Sequence, residues 1–458
     1  MDKTPFTFPT LNPVARGLSL GWLSVAIASL VGSGLVVILV ILARAPIIHE
    51  LIPWIGSFRT ALVIHVDLSV LVWFLAFAGV MSAPFLNGKG VGSAGRYAVI
   101  LGALGTLVIT FSPFLGEDRP FRNNYIPVLE NAAFFIGLGL FVAGFVVMAL
   151  HTLVTFRRDL NPESGETALA FGIRSGLVIG LVSILFWIWS AVLIPADIAA
   201  DVDIREHYYE LLFWSGGHVL QFTHTQLLVV AWVVLAAMTG LSFGLKPRTL
   251  LIILILGAVP VLAAPVLQLL HPVDSFEHRE IFTRLMWWGN GIAPLLIGFL
   301  LIGALLKGGS AAPEHRPARR SLIFSLALFG MGGVIGYMIQ EINTTIPAHY
   351  HGSIIAITMA YMGVAYALMP GLGCTVPWPK LAAWQPVIYF VGQALHIIGL
   401  AWGGGHGVQR KTAGAEQALR TTSEKLAMNV MGVGGILAVI GGVLFMVIAI
   451  KAIKNRQR

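Results

Sequence analysis

Ile346-Pro347-Ala348-His349-Tyr350-His351-Gly352-Ser353 opens an apolar segment that runs to Met369, and it sets two imidazoles two residues apart at the mouth of a hydrophobic helix. At about 3.6 residues per turn, positions i and i+2 point roughly 200° apart, so His349 and His351 face opposite sides and cannot chelate one ion as an i, i+4 pair can. A helix lying between two groups and giving one axial ligand to each needs this arrangement, and iron porphyrin is the group most often held by single histidines. Two polar residues wetting a helix end would leave the same pattern.

The chain around this stretch is built for a bilayer. Of its 458 residues 57% are hydrophobic and 11% charged, with a mean hydropathy of +0.84; a soluble protein carries about 25% charged residues. Apolar runs of about 20 residues fall at 18–44, 59–85, 95–115, 126–155, 169–195, 207–241, 249–271, 280–307, 320–341, 348–369, 384–403 and 427–451. The expectation is an all-α polytopic membrane protein, a bundle of twelve helices forming one domain over 1–458, with its first span retained as an anchor. An even number of spans puts both termini on one side. That side receives 18 of the 29 Lys and Arg, which makes the termini cytoplasmic by the positive-inside rule. The same loops account for the net charge of +8, so composition gives no reason to invoke nucleic acid. The single cysteine, Cys374, excludes a disulfide framework, a CxxCH haem attachment and a two-cysteine copper centre within the chain. Electrons must therefore come from elsewhere.

Histidines mark the remaining spans. His65-Val66-Asp67 lies about two turns into span two. Span six reads Glu210-Leu211-Leu212-Phe213-Trp214-Ser215-Gly216-Gly217-His218, where the paired glycines leave room for something bulky against the backbone, or for a neighbouring helix. Span seven ends in His271-Pro272-Val273-Asp274, followed by His278. With alternating span directions, His65, His218, His271, His349 and His351 all fall in the half of the membrane away from the termini. A shared level is not expected of scattered core histidines, and an imidazole in hydrocarbon marks a functional site by default. His224, about 9 Å deeper than His218 at 1.5 Å per residue and off its face, reads as structural. Arg410 and Lys411, after span eleven, suit carboxylate partners above this layer.

Twelve spans, one His early in span two, one mid-span six, one ending span seven and an Ala-His-x-His opening span ten resemble the catalytic subunit of the haem-copper oxidase superfamily, over essentially the whole chain. The resemblance implies a low-spin haem on His65 and His351, a high-spin haem on His349, and a non-haem metal, copper or iron, on His218 and His271. Arg410 and Lys411 resemble the basic pair that meets haem propionates. It also implies a multi-pass protein of a bacterial inner membrane, surrounded by lipid and fed electrons by a cupredoxin or cytochrome c-type subunit on the outer face.

The departures from the family shape the expected chemistry. Family members usually have adjacent histidines where this chain has His271-Pro272, so the third ligand of the non-haem metal falls to His278 or Asp274. A carboxylate there would favour iron. Oxygen-reducing members place a redox tyrosine four residues beyond the span-six His or on span seven; here the first position is Phe222 and span seven has no tyrosine. The inner halves of the spans are essentially free of acidic residues, whereas Asp67, Glu130, Glu210, Glu280 and Glu341 lie in or beside the outer half. Both features resemble the superfamily's nitric oxide reductases of respiratory denitrification. They take protons from outside, with Glu210 and then Glu280 as donors here, and do not pump. The alternative is a divergent oxygen reductase using Tyr350. A transporter, also commonly of twelve spans, would show inverted repeats and midplane charges that the sequence lacks.

Overall fold

The computed structural model describes residues 6–44, 56–86, 93–116, 119–156 and 161–456. Twelve helices among them are long and apolar enough to cross a membrane, one for each expected span. The chain divides into two compact units, one of Met1–Ala26 with Leu71–Ser310, the other of Ile27–Val70 with Ala311–Arg458.

Burial separates the helices by task. The apolar windows of spans two (Phe58–Phe85), six (Arg205–Met238) and ten (Thr345–Leu368) are 72%, 94% and 72% buried, against 28% for span seven (Pro247–Leu270). These three carry His65, His218 and the His349/His351 pair, so the polar side chains that hydrocarbon would penalise sit on the helices most enclosed by protein.

Most boundaries shift by a few residues from the sequence reading, and two of the differences position the site. Span four begins at Ala132 rather than 126, capped by Asn131, whose side chain accepts from Phe134 N. The preceding apolar residues instead form a small hairpin. Strands β1 (Pro120–Phe121) and β2 (Val128–Leu129) pair antiparallel, with Pro120 opposite Leu129 and Phe121 opposite Val128. The Asn123 side chain builds a turn at the tip by accepting from Tyr125 N at 2.9 Å and Ile126 N at 2.8 Å. Span eight begins at Phe276, not 280, because Ser275 caps it by accepting the His278 N–H at 3.1 Å. His278 thereby belongs to a helix and not to a connecting loop.

In the second unit, span nine (Pro313–Tyr337) and span ten meet backbone to backbone. A Cβ on Gly352 would lie 2.4 Å from Gly332 Cα, and one on Gly332 would lie 2.5 Å from Ser353 N. Only glycine at both positions permits this approach, and it brings the start of span ten within reach of a span-nine carbonyl.

Candidate functional site

In the second unit three candidate haem ligands are oriented by the same device. His349 Nδ1 lies 2.7 Å from Gly332 O, His351 Nδ1 lies 2.8 Å from Pro347 O, and His65 Nδ1 lies 2.7 Å from Ser33 Oγ. A carbonyl can only accept, so Nδ1 holds the proton in His349 and His351. In His65 the same follows because the Ser33 hydroxyl also lies 3.3 Å from His65 O, where it donates. Each ring then presents Nε2 as its lone-pair nitrogen, the form an axial iron ligand requires. His65 and His351 are electrostatic neighbours. The residues therefore fit a haem held between them, and His349, pointing off the opposite side of span ten, fits a second.

The second unit adds two groups. His396, on span eleven (Pro379–Gly405), packs its ring 4.9 Å from that of His351 and donates from Nδ1 to Met431 O at 3.0 Å. Tyr350 also stacks on His351, with 5.2 Å between ring centres, and is 38% exposed. Arg410 and Lys411 lie in the connection after span eleven, which is tied to the start of span ten by Thr344 N donating to Val408 O at 3.0 Å. The basic pair thus stands at the end of this unit where His349 and His351 enter.

In the first unit His218 is almost fully enclosed, at 2% exposure. Its Nδ1 donates back to Trp214 O at 2.8 Å, which again leaves Nε2 as the lone-pair nitrogen. The bulky group that the glycine pair admits is now visible: a Cβ on Gly217 would lie 2.2 Å from the Tyr125 ring, and one on Gly216 would lie 2.3 Å from Trp187. Tyr125 reaches down from the hairpin tip and sets its phenol oxygen along the His218 ring, 2.8 Å from Nδ1 and 2.9 Å from Nε2. Burial first, and then the Glu210 carboxylate, push this phenol well above its ordinary range. It stays protonated, and its hydroxyl donates to His218. Thr283 Oγ1 stands 3.5 Å from the same nitrogen.

His271 lies at the extended C-terminal cap of span seven and His278 in the first turn of span eight, and His278 has both His271 and Asp274 as electrostatic neighbours. His218 and His278 are likewise neighbours. Among the described residues no three His, Cys, Asp or Glu side chains are grouped closely enough to hold an ion, so the structure does not bring His218, His271 and a third such ligand onto one point. It does leave His278 fully buried with an Nδ1 that has no hydrogen-bond partner. An orphaned imidazole nitrogen beside His218 fits a metal better than it fits a packed core.

The outer carboxylates have separate fates. Glu210 accepts from Asn124 N at 2.9 Å and from the Asn124 side-chain amide, which fastens the hairpin tip to span six. Glu130 is engaged by Tyr209 at 3.1 Å and by Arg205 at 3.3 Å. Glu280 turns outward to Arg284 at 2.6 Å, on an exposed face of span eight, and Glu341 is exposed. Asp67 is fully buried at the start of a π-helical turn, Asp67–Val72, and neither carboxylate oxygen has a hydrogen-bond partner. His224 packs edge-on against Phe74 at 4.9 Å, inside the first unit.

Tyr125 and His396 are the residues that sequence reasoning missed. His396 was detectable, because span eleven places it at the level of the other histidines. Tyr125 was not, because nothing local marks a loop tyrosine as one that folds back onto a helix.

No family model matches the chain. It is 31% identical to an uncharacterized protein of Rickettsia prowazekii, over 94% of this chain and 95% of that protein. It is 23% identical to cytochrome c oxidase subunit 1 of Thermus thermophilus over 98% of the chain and 86% of that subunit. Among solved structures, a haem-copper terminal oxidase dimer determined by cryo-electron microscopy superposes with a TM-score of 0.72 at 16% identity, covering 98% of this chain and 86% of that one.

Proposed function

We propose that this chain, similar over its length to a cytochrome c oxidase subunit 1 and in fold to a haem-copper terminal oxidase, is a member of the haem-copper oxidase superfamily and the catalytic subunit of a membrane nitric oxide reductase. The net reaction joins two NO with two electrons and two protons to give N2O and water. When bound, two haems and a non-haem metal supply the electrons and the Lewis-acid site for the gas. His65 and His351 hold the low-spin haem, His349 the high-spin haem, and His218 with His271 the non-haem metal, while Arg410 and Lys411 meet the haem carboxylates. Electrons come from a cupredoxin or cytochrome c-type partner, since one cysteine cannot build a two-cysteine copper centre in this chain. Protons enter beside the hairpin through Glu210. Glu280 has no support for a part in this route, because its carboxylate is exposed and committed to Arg284.

One observation carries NO over O2. Apart from Glu166 and Glu314 in first turns, the halves of the spans nearer the termini hold no acidic side chain, whereas Asp67, Glu210 and Glu280 stand in the other halves. A reaction that draws two protons from outside and pumps none needs no acidic route from the inner face, and two electrons are within the capacity of a haem and metal pair.

A second reading, an oxygen reductase, is favoured by Tyr125. Its phenol, 2.8 Å from His218 Nδ1 and 2.9 Å from Nε2, supplies a tyrosine beside His218, where the position four residues on is Phe222 and span seven has none. Purified protein given a chemical reductant decides between them. Anaerobic NO consumption at two NO per N2O, no charge movement in vesicles, and turnover within about threefold in Tyr125→Phe support the first reading. Fast O2 consumption that Tyr125→Phe abolishes overturns it in favour of the second.

A further inference from the structure

We propose that His278 is a ligand of the non-haem metal through its Nδ1 atom, and that Gln268, Ser190 and Ser215 position it; the inference rests on the reading of a metal centre at His218. Gln268, 1% exposed on span seven, donates from its amide nitrogen to Ser190 Oγ at 3.1 Å. Ser190 Oγ lies 3.1 Å from Ser215 Oγ, and both serines are fully buried. With its nitrogen committed to this hydroxyl pair, Gln268 turns its carbonyl oxygen to His278 Nε2 at 3.2 Å. That oxygen only accepts, so the His278 proton resides on Nε2 and the lone pair on Nδ1.

The result is a neutral imidazole with its lone pair fixed in a fully buried place and no hydrogen-bond donor to receive it. Leaving such an atom unmet is costly, and a bound cation is one of the few groups that would meet it. The second nitrogen of a metal-bound histidine is ordinarily tied to an oxygen acceptor, and the Gln268 carbonyl fills that role. The location agrees. His278 and His218 both lean on Phe282, at 4.9 and 6.4 Å between ring centres, and Thr283 beside it lies 3.5 Å from His218 Nε2. Asp274, the other candidate, is only partly buried and sits in the turn after span seven, with no comparable chain of buried groups orienting it. A histidine from the first turn of span eight thus replaces the second of the adjacent pair that Pro272 interrupts.

Metal and haem content of the purified full chain tests this without recourse to turnover. Wild-type protein with two haems and one non-haem metal, a His278→Ala variant that keeps both haems but loses at least about tenfold of that metal, and an Asp274→Asn variant that keeps it are the expected results. Competition with a chelator for whichever of iron or copper the wild type carries should show a 10- to 100-fold weaker site in Gln268→Leu, by about the usual effect of losing an outer partner. This second variant decides the matter if His278→Ala does not fold. Full metal in His278→Ala with both haems bound, loss of metal in Asp274→Asn, or unchanged chelator competition in Gln268→Leu each overturns the role of His278 and leaves the His218 centre standing. Wild-type protein that holds haem but no non-haem metal overturns both.

Discussion

In the second unit His65, His349 and His351 are turned by a serine hydroxyl and two backbone carbonyls of spans packed beside them or of their own helix. In the first unit His218 is likewise turned by a carbonyl of its own helix, Trp214 O, but it and His278 are also met by polar side chains, Tyr125 at the tip of a hairpin and Gln268 on span seven. The difference teaches where each site is vulnerable. Helix-to-helix approach holds the first set, so a single methyl between spans can misplace a ligand. Polar side chains complete the second set, so loss of one donor or acceptor should be felt there first.

The largest expected effect removes a ligand outright. His351→Ala should bring the haem content of the purified protein from two to one, read from reduced-minus-oxidised spectra; two haems retained would mean that His65 pairs with another group, and His396 would be the first to examine. Next comes the approach of spans nine and ten. Gly352→Ala puts a methyl 2.4 Å from Gly332 Cα, where backbone cannot yield, and should cost about 3 kcal/mol of stability with loss of the haem at His349. A melting temperature equal to wild type would remove the backbone-built half of the comparison.

Smaller effects probe the side-chain-built half. Glu210→Gln replaces one charge-assisted acceptor of the hairpin with an amide and should cost about 1–2 kcal/mol. Amide exchange should quicken over 119–130 and stay unchanged over 345–355. Equal protection of both segments would mean that Glu210 does not brace the hairpin. Smallest of all is Glu280→Gln, which breaks an exposed i, i+4 pair and should change stability by less than about 0.5 kcal/mol, with turnover near wild type. A large loss of turnover would restore Glu280 to the proton route.

Much of the second unit was readable in advance. The i, i+2 spacing of His349 and His351 dictates opposite faces on any helix, and His65 announces itself as an imidazole in an apolar run. The paired glycines before His218 announced a close approach but not its partner, because Tyr125 and Trp187 lie 92 and 29 residues before Gly217 and Gly216 and share no local pattern with them. Span four was started too early for a similar reason. Ile126 to Leu129 have the hydropathy of a helix start, but the Asn123 turn and the β1–β2 ladder decide their conformation. His278 was assigned to a loop because the Ser275 cap, a one-residue signal, is weaker than the run of charges around it.

What the amino-acid order determined alone is the membrane class, the number of spans, and the residues that hydrocarbon would not tolerate without a purpose. Those follow from local physics: transfer energies summed over about 20 residues, and a fixed helical period. What only the tertiary structure decided is which nitrogen of each histidine carries its proton, which tyrosine stands at His218, and which outer carboxylates are braces or exposed ion pairs. A proton on an imidazole is placed by the acceptor that happens to face it, and in this chain those acceptors arrive from as far as 35 residues away.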